Sequence, residues 1–127
     1  MNDGRRLRIL RVENHADTHL SLTLLLEQCG HAVTGACTMQ EAFDLLSLQE
    51  WDVLLSDIGL PDGSGLELIR QLKDLRPVTG IALSGFGMEE DVRKSKEAGF
   101  YEHLTKPVNF QRLHALIREA TASGAGS

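Results

Sequence analysis

Short apolar runs alternate five times with segments of helical periodicity along this 127-residue chain, and few folds accept that pattern. Residues 7–12 read as a first strand. A helix follows over 16–29, with Leu20 and Leu24 one turn apart and Gly30 as its C-cap. Residues 31–37 alternate and carry β-branched side chains, which predicts a second strand. Thr38 caps a helix reaching Leu48, with Glu41 three residues on in the manner of a capping box. Residues 53–56 form a third strand, apolar enough to be buried on both faces of a parallel sheet. Turn-forming residues 61–65 lead into a helix over 66–75, ended by Pro77. A fourth strand at 80–84, a helix over 88–98 closed by Gly99, a fifth strand at 100–105 and an amphipathic helix over 109–121 complete the pattern. Residues 1–6 are expected to be a linker, 7–121 a single domain, and 122–127 a flexible tail.

Strands joined through helices by short connections imply a doubly wound, five-stranded parallel α/β sheet with right-handed crossovers. Two strand orders are common for such chains, and both place ligands beyond the carboxyl ends of the strands. A hydrophobic share of 42% supplies the core this requires. The formal charge of −5 argues against direct nucleic-acid binding, which needs clustered Lys and Arg. No apolar run approaches the roughly 20 residues that span a bilayer, and the first ten residues lack a secretion signal. A cytoplasmic, reduced setting is therefore expected, with Cys29 and Cys37 as small core residues and not a disulfide framework.

The strand ends carry the chemistry. Glu13 and Asn14 follow the first strand, Asp57 the third, Ser84 ends the fourth, and Lys106 with Pro107 follows the fifth. Carboxylates gathered at one place are costly unless a cation neutralises them. Oxygen ligands from few protein groups suit magnesium, which keeps its waters and shares itself with phosphate oxygens. Lys106 can pair with an anion there and Ser84 can donate to it. A carboxylate nucleophile, a hard cation and two donors around a tetrahedral anion describe phosphoryl transfer to an aspartate.

The segments RILRVENHAD, DVLLSDIGLPDGSGLELI, IALSG and HLTKP resemble the receiver domains of two-component response regulators, across roughly residues 6 to 120. The resemblance implies a flavodoxin-like (βα)5 fold with strand order 2-1-3-4-5. It implies Asp57 as phosphoacceptor, with magnesium held by Glu13, Asn14, Asp57 and the backbone carbonyl of Gly59. Ser84 matches the hydroxyl residue that swings toward the phosphoryl group. Lys106 matches the lysine that pairs with it, and the Lys106–Pro107 bond is expected cis. His103 stands where the family has an aromatic switch residue, although an imidazole at a strand end also serves as plain packing. The donor would be the phosphohistidine of a sensor histidine kinase or a phosphotransfer protein. The surface of the fourth helix, fifth strand and fifth helix would switch, and the family also allows a homodimer through it. The stretches DIGLPDGSGLELI and EAGFYEHLTKPVNFQRL look most like receivers at the C-terminal end of hybrid histidine kinases. Beyond its own phosphotransfer, no enzymatic activity is implied for the domain itself.

Asn14 departs from the pattern, because the family usually places Asp there. An amide oxygen coordinates without charge, which predicts weakened magnesium binding. The alternative is an interaction module of the same fold that signals without phosphate. Gly59 and Phe86 occupy positions that influence water access in the family, so a long-lived phosphoryl group is expected. Other chemistries fit less well. His15 and His19 have a zinc-compatible spacing without a third ligand. ENHAD lacks the hydroxyl-rich loop of a flavin site, and Gly59 replaces the second Asp of a haloacid-type phosphatase.

Overall fold

The computed structural model describes residues 6–13, 20–72, 75, 78–85 and 89–125. The chain runs β1 (Arg8–Val12), α1 (Leu20–Gln28), β2 (Ala32–Ala36), α2 (Met39–Leu48) and β3 (Val53–Asp57). A small hairpin, β4 (Gly59–Leu60) and β5 (Gly63–Ser64), precedes α3 (Gly65–Leu72). Then come β6 (Thr79–Ser84), α4 (Glu89–Ala98), β7 (Glu102–Thr105) and α5 (Phe110–Ala125). The five main strands are all parallel, in the order β2-β1-β3-β6-β7. With the hairpin set aside, that is the expected order 2-1-3-4-5.

Each face of the sheet buries its own core because alternate strand residues point to opposite sides. Leu10, Val12, Leu54 and Ala82 pack on one side with Leu46 of α2 and Leu68, Ile69 and Leu72 of α3. Ile9, Val53, Leu55, Ile81 and Leu83 pack on the other with Leu22 and Leu26 of α1 and Leu113 and Ile117 of α5. All five residues of β3 are buried at the middle of the sheet: Val53, Leu54 and Leu55 supply the core, and the polar Ser56 and Asp57 follow at its carboxyl end.

The helix ends follow local chemistry. Thr38 Oγ1 accepts from the Glu41 amide at 3.1 Å, while Glu41 Oε1 accepts from the Cys37 amide at 2.8 Å, a close variant of the expected capping box. Asp62 adds a second cap from the hairpin, its two oxygens accepting from the Met39 and Gln40 amides at 2.7 and 3.0 Å. Gly30 and Gly99 close α1 and α4 at φ +97 and +129, where a side chain would strain the backbone.

The described part of the first helix is Leu20–Gln28, within the expected 16–29, and its buried side is Leu22 and Leu26 while Leu20 and Leu24, one turn apart, are exposed. Three expectations change. Cys29 and Cys37 are exposed, since each sits just past the end of an element, where the chain turns to solvent. Residues 59–64 are more than a turn, because the sharp Pro61–Asp62 bend brings Gly59 opposite Ser64 and Leu60 opposite Gly63. The last helix continues past Thr121 to Ala125, with no proline in those residues to stop it. No helix among the described residues is long and apolar enough to cross a membrane.

Candidate functional site

Register brings the strand-end residues together. Val12 lies opposite Ser56, Asp57 opposite Leu83, and Ser84 opposite Thr105. Glu13, Asp57, Ser84 and Lys106 therefore leave four neighbouring strands at the same carboxyl edge. Backbone bonds carry the ladder one residue further and fix these positions: Glu13 donates to the Ala36 carbonyl at 3.0 Å, Ile58 to Leu83 at 3.2 Å, and Lys106 to Ser84 at 2.7 Å. The Lys106–Pro107 peptide bond is cis.

Asp57 is buried at the end of β3, and Lys106 Nζ lies 2.9 Å from its Oδ1. The ammonium thus stands beside the carboxylate as its counter-charge at the carboxyl edge of the sheet. The start of α3 presses on the Asp57 backbone. A Cβ at Gly65 would come within 2.5 Å of the Asp57 carbonyl oxygen and 2.9 Å of Ser56 Oγ, so only glycine lets the helix approach. Sequence reasoning missed this positioning role, although a Gly-Ser-Gly run opening a helix was its signal.

Ser84 is half-buried and, with Asp57, Gly59, Lys94, His103 and Lys106, lines a cleft of about 560 Å³. Gly59 is exposed at its rim, with open space where a side chain would stand. His103 is buried, and its Nδ1 lies 2.8 Å from Ser95 Oγ of α4. Ser95 Oγ also lies within hydrogen-bond reach of the Asp91 carbonyl at 3.0 Å, so the hydroxyl bridges its own helix and the imidazole. His103 thereby ties α4 to β7 beside the cleft that Asp57 lines.

Glu13 is almost fully buried, and the Arg11 guanidinium donates to its Oε1. Its Oε2 is buried with no hydrogen-bond partner. Asn14, Phe86 and the His15–His19 pair lie outside the described residues, as do residues 1–5 and 126–127 at the ends.

A family model for the response regulator receiver domain matches residues 9–118. The chain belongs to that family. It is 35% identical over 114 residues to an uncharacterized 14.6 kDa protein in the sodA1 3′ region of Leptolyngbya boryana, covering 87% of each. It is 32% identical over 116 residues to the response regulator protein PilR of Pseudomonas aeruginosa, covering 91% of this chain but only 26% of PilR. Among solved structures it resembles, at TM-score 0.87 and 26% identity, the Saccharomyces cerevisiae receiver domain of Ssk1 crystallised with the histidine phosphotransfer protein Ypd1. That match covers 94% of this chain and 92% of the other.

Receiver domains bind magnesium, and the residues of this receiver fit such an ion in kind: the donors at the edge are oxygens, and Glu13 Oε2 is a buried carboxylate oxygen with no other partner. Among the described residues no three His, Cys, Asp or Glu side chains gather as a metal cluster.

Proposed function

We propose that this receiver accepts a phosphoryl group on Asp57 from a phosphohistidine donor and passes the change to the surface formed by α4, β7 and α5. The observation that carries the reading is the buried Asp57 carboxylate, 2.9 Å from Lys106 and one strand away from the buried Glu13. An Asp57 oxygen forms the new P–O bond as the P–N bond of the donor imidazole breaks, and the departing nitrogen keeps the electron pair and takes up a proton. Lys106 lies where it can shift from the carboxylate to a phosphoryl oxygen, and Ser84 lines the same cleft as a hydroxyl donor. Magnesium on Glu13, Asn14, Asp57 and the Gly59 carbonyl would offset charge on the phosphoryl oxygens, with affinity lowered by the uncharged Asn14.

Exposed Leu20, Leu24 and Leu25 give α1 an apolar face near this edge, suited to a helical phosphotransfer partner, and the likeness to a receiver crystallised with such a protein supports that choice. On the output side, His103 joins β7 to Ser95 of α4, Lys96 pairs with Glu102 at 3.1 Å, and the Tyr101 hydroxyl donates to Glu119 of α5 at 2.8 Å. Movement of Ser84 toward a phosphoryl group would free space for His103 and alter these links.

A second reading, signalling without phosphate, is favoured by Asn14 and by the pairing of both described carboxylates with internal cations. One assay separates the two. With magnesium and a small phosphodonor, the wild-type chain is expected to gain a single phosphoryl mass that Asp57→Asn does not. No adduct on wild type, even with Asn14→Asp, would exclude the phosphoacceptor reading in favour of the second.

A further inference from the structure

Arg11 was not among the residues singled out from the sequence, yet its guanidinium donates to the carboxylate of Glu13. It sits on β1 two residues before Glu13, opposite Gly35 of β2. A Cβ at Gly35 would lie 2.5 Å from Arg11 Nη2 and 3.3 Å from Cζ. The guanidinium therefore occupies the space that a side chain at position 35 would fill. From that cradle Nη1 donates to Glu13 Oε1, with Arg11 18% exposed and Glu13 1% exposed. Guanidinium and carboxylate commonly pair through two parallel bonds. Here they share a single oxygen, and Arg11 Nε and Glu13 Oε2 are both buried without partners. The pair thus neutralises Glu13 while leaving one of its oxygens uncommitted.

We propose that Arg11 is a built-in competitor of the divalent cation: it neutralises Glu13 in the cation-free receiver, and magnesium binds by displacing the guanidinium from that carboxylate. This rests on the reading of Glu13 as a ligand beside the phosphoacceptor. Two cations cannot share one buried carboxylate without mutual repulsion, so the magnesium concentration at which the site fills is set by this exchange. Arg11 adds to the effect of Asn14, and together they make the receiver competent only when magnesium is plentiful.

The test is a calorimetric titration of the full chain with magnesium alone, paired with thermal melting in its presence and absence. Arg11→Gln is expected to tighten magnesium binding by about tenfold, the loss of one charge-assisted bond being enough. Without magnesium the same variant should melt below wild type, because Glu13 has lost its counter-charge. With magnesium its gain in melting temperature should exceed that of wild type. Gly35→Ala keeps the charge but crowds the guanidinium off Glu13, and it should shift affinity the same way by a smaller factor. Equal affinity in wild type and both variants, with binding abolished by Glu13→Gln, would overturn the competition and leave the cation site standing. Weaker binding in Arg11→Gln would overturn it also, by making Arg11 a support of the site. No magnesium binding in any form would remove the cation site itself, and the competition with it.

Discussion

Lys106 and Asp57 set the chemistry of the edge at the level of single side chains. Their 2.9 Å pair is only partly screened, since the lysine is 28% exposed and the aspartate 8%. If Asp57 is the phosphoacceptor proposed above, the lysine is placed to pair with the charge that develops on the phosphoryl oxygens. Lys106→Ala is therefore expected to slow phosphorylation of Asp57 from a small donor by about a hundredfold, a loss typical of removing one preorganised charge donor. Initial rates read by intact mass check this, and an unchanged rate would show that Lys106 is structural only. The gathering of Asp57, Lys106, Ser84 and Glu13 at one edge could be read from the sequence because each stands at or just past the end of a strand. Arg11 was not visible, because an Arg inside an apolar run reads as an edge-facing charge until the pairing opposite Gly35 is known. Gly65 escaped for a similar reason: its closeness to the Asp57 backbone depends on where α3 docks, which no local pattern encodes.

Between elements, polar contacts decide how the helices seat on the sheet. His31, just before β2, accepts from the Leu7 amide at 3.2 Å through Nδ1, so its Nε2 carries the hydrogen and faces His114 Nε2 of α5 at 3.2 Å. His114 also stacks on Phe110. Burial, and to a lesser degree the Arg118 charge, push the His114 imidazole below its usual value. The sign follows directly. The unfolded chain takes up this proton at higher pH than the folded one, so the contribution to stability is full above the ordinary histidine value. It is lost as pH falls below it. Melting temperature should therefore drop as pH is lowered from about 7 to 5.5, and His114→Gln should flatten that slope. Equal slopes would place the pH dependence elsewhere. The strands, the α2 cap and both glycine C-caps could be read from the sequence, where propensity and context agree. The faces of α1 could not, since Leu20, Leu22, Leu24, Leu25 and Leu26 offer several apolar stripes and only docking chooses between them. The β4–β5 hairpin was hidden because two-residue strands carry no periodicity.

Across the whole molecule, a parallel sheet with a core on each face serves as the floor for the edge that gathers Glu13, Asp57, Ser84 and Lys106. The fully buried Leu10, Leu54, Ile81 and Leu83 hold the strands whose ends carry Glu13, Asp57 and Ser84, so the site owes its geometry to packing some distance from it. The links from His103 through Ser95 to α4, and from Tyr101 to α5, connect that edge with an outer surface built largely of exposed charge. A domain arranged in this way can convert one covalent event into a change of shape. The event itself is open to direct reading. After incubation with magnesium and a small phosphodonor, borohydride reduces an aspartyl phosphate to homoserine, and fragmentation of the peptides locates the converted residue. Conversion at Asp57 alone is the predicted result. Conversion at another carboxylate, or none in a protein that binds magnesium, would contradict Asp57 as the phosphoacceptor.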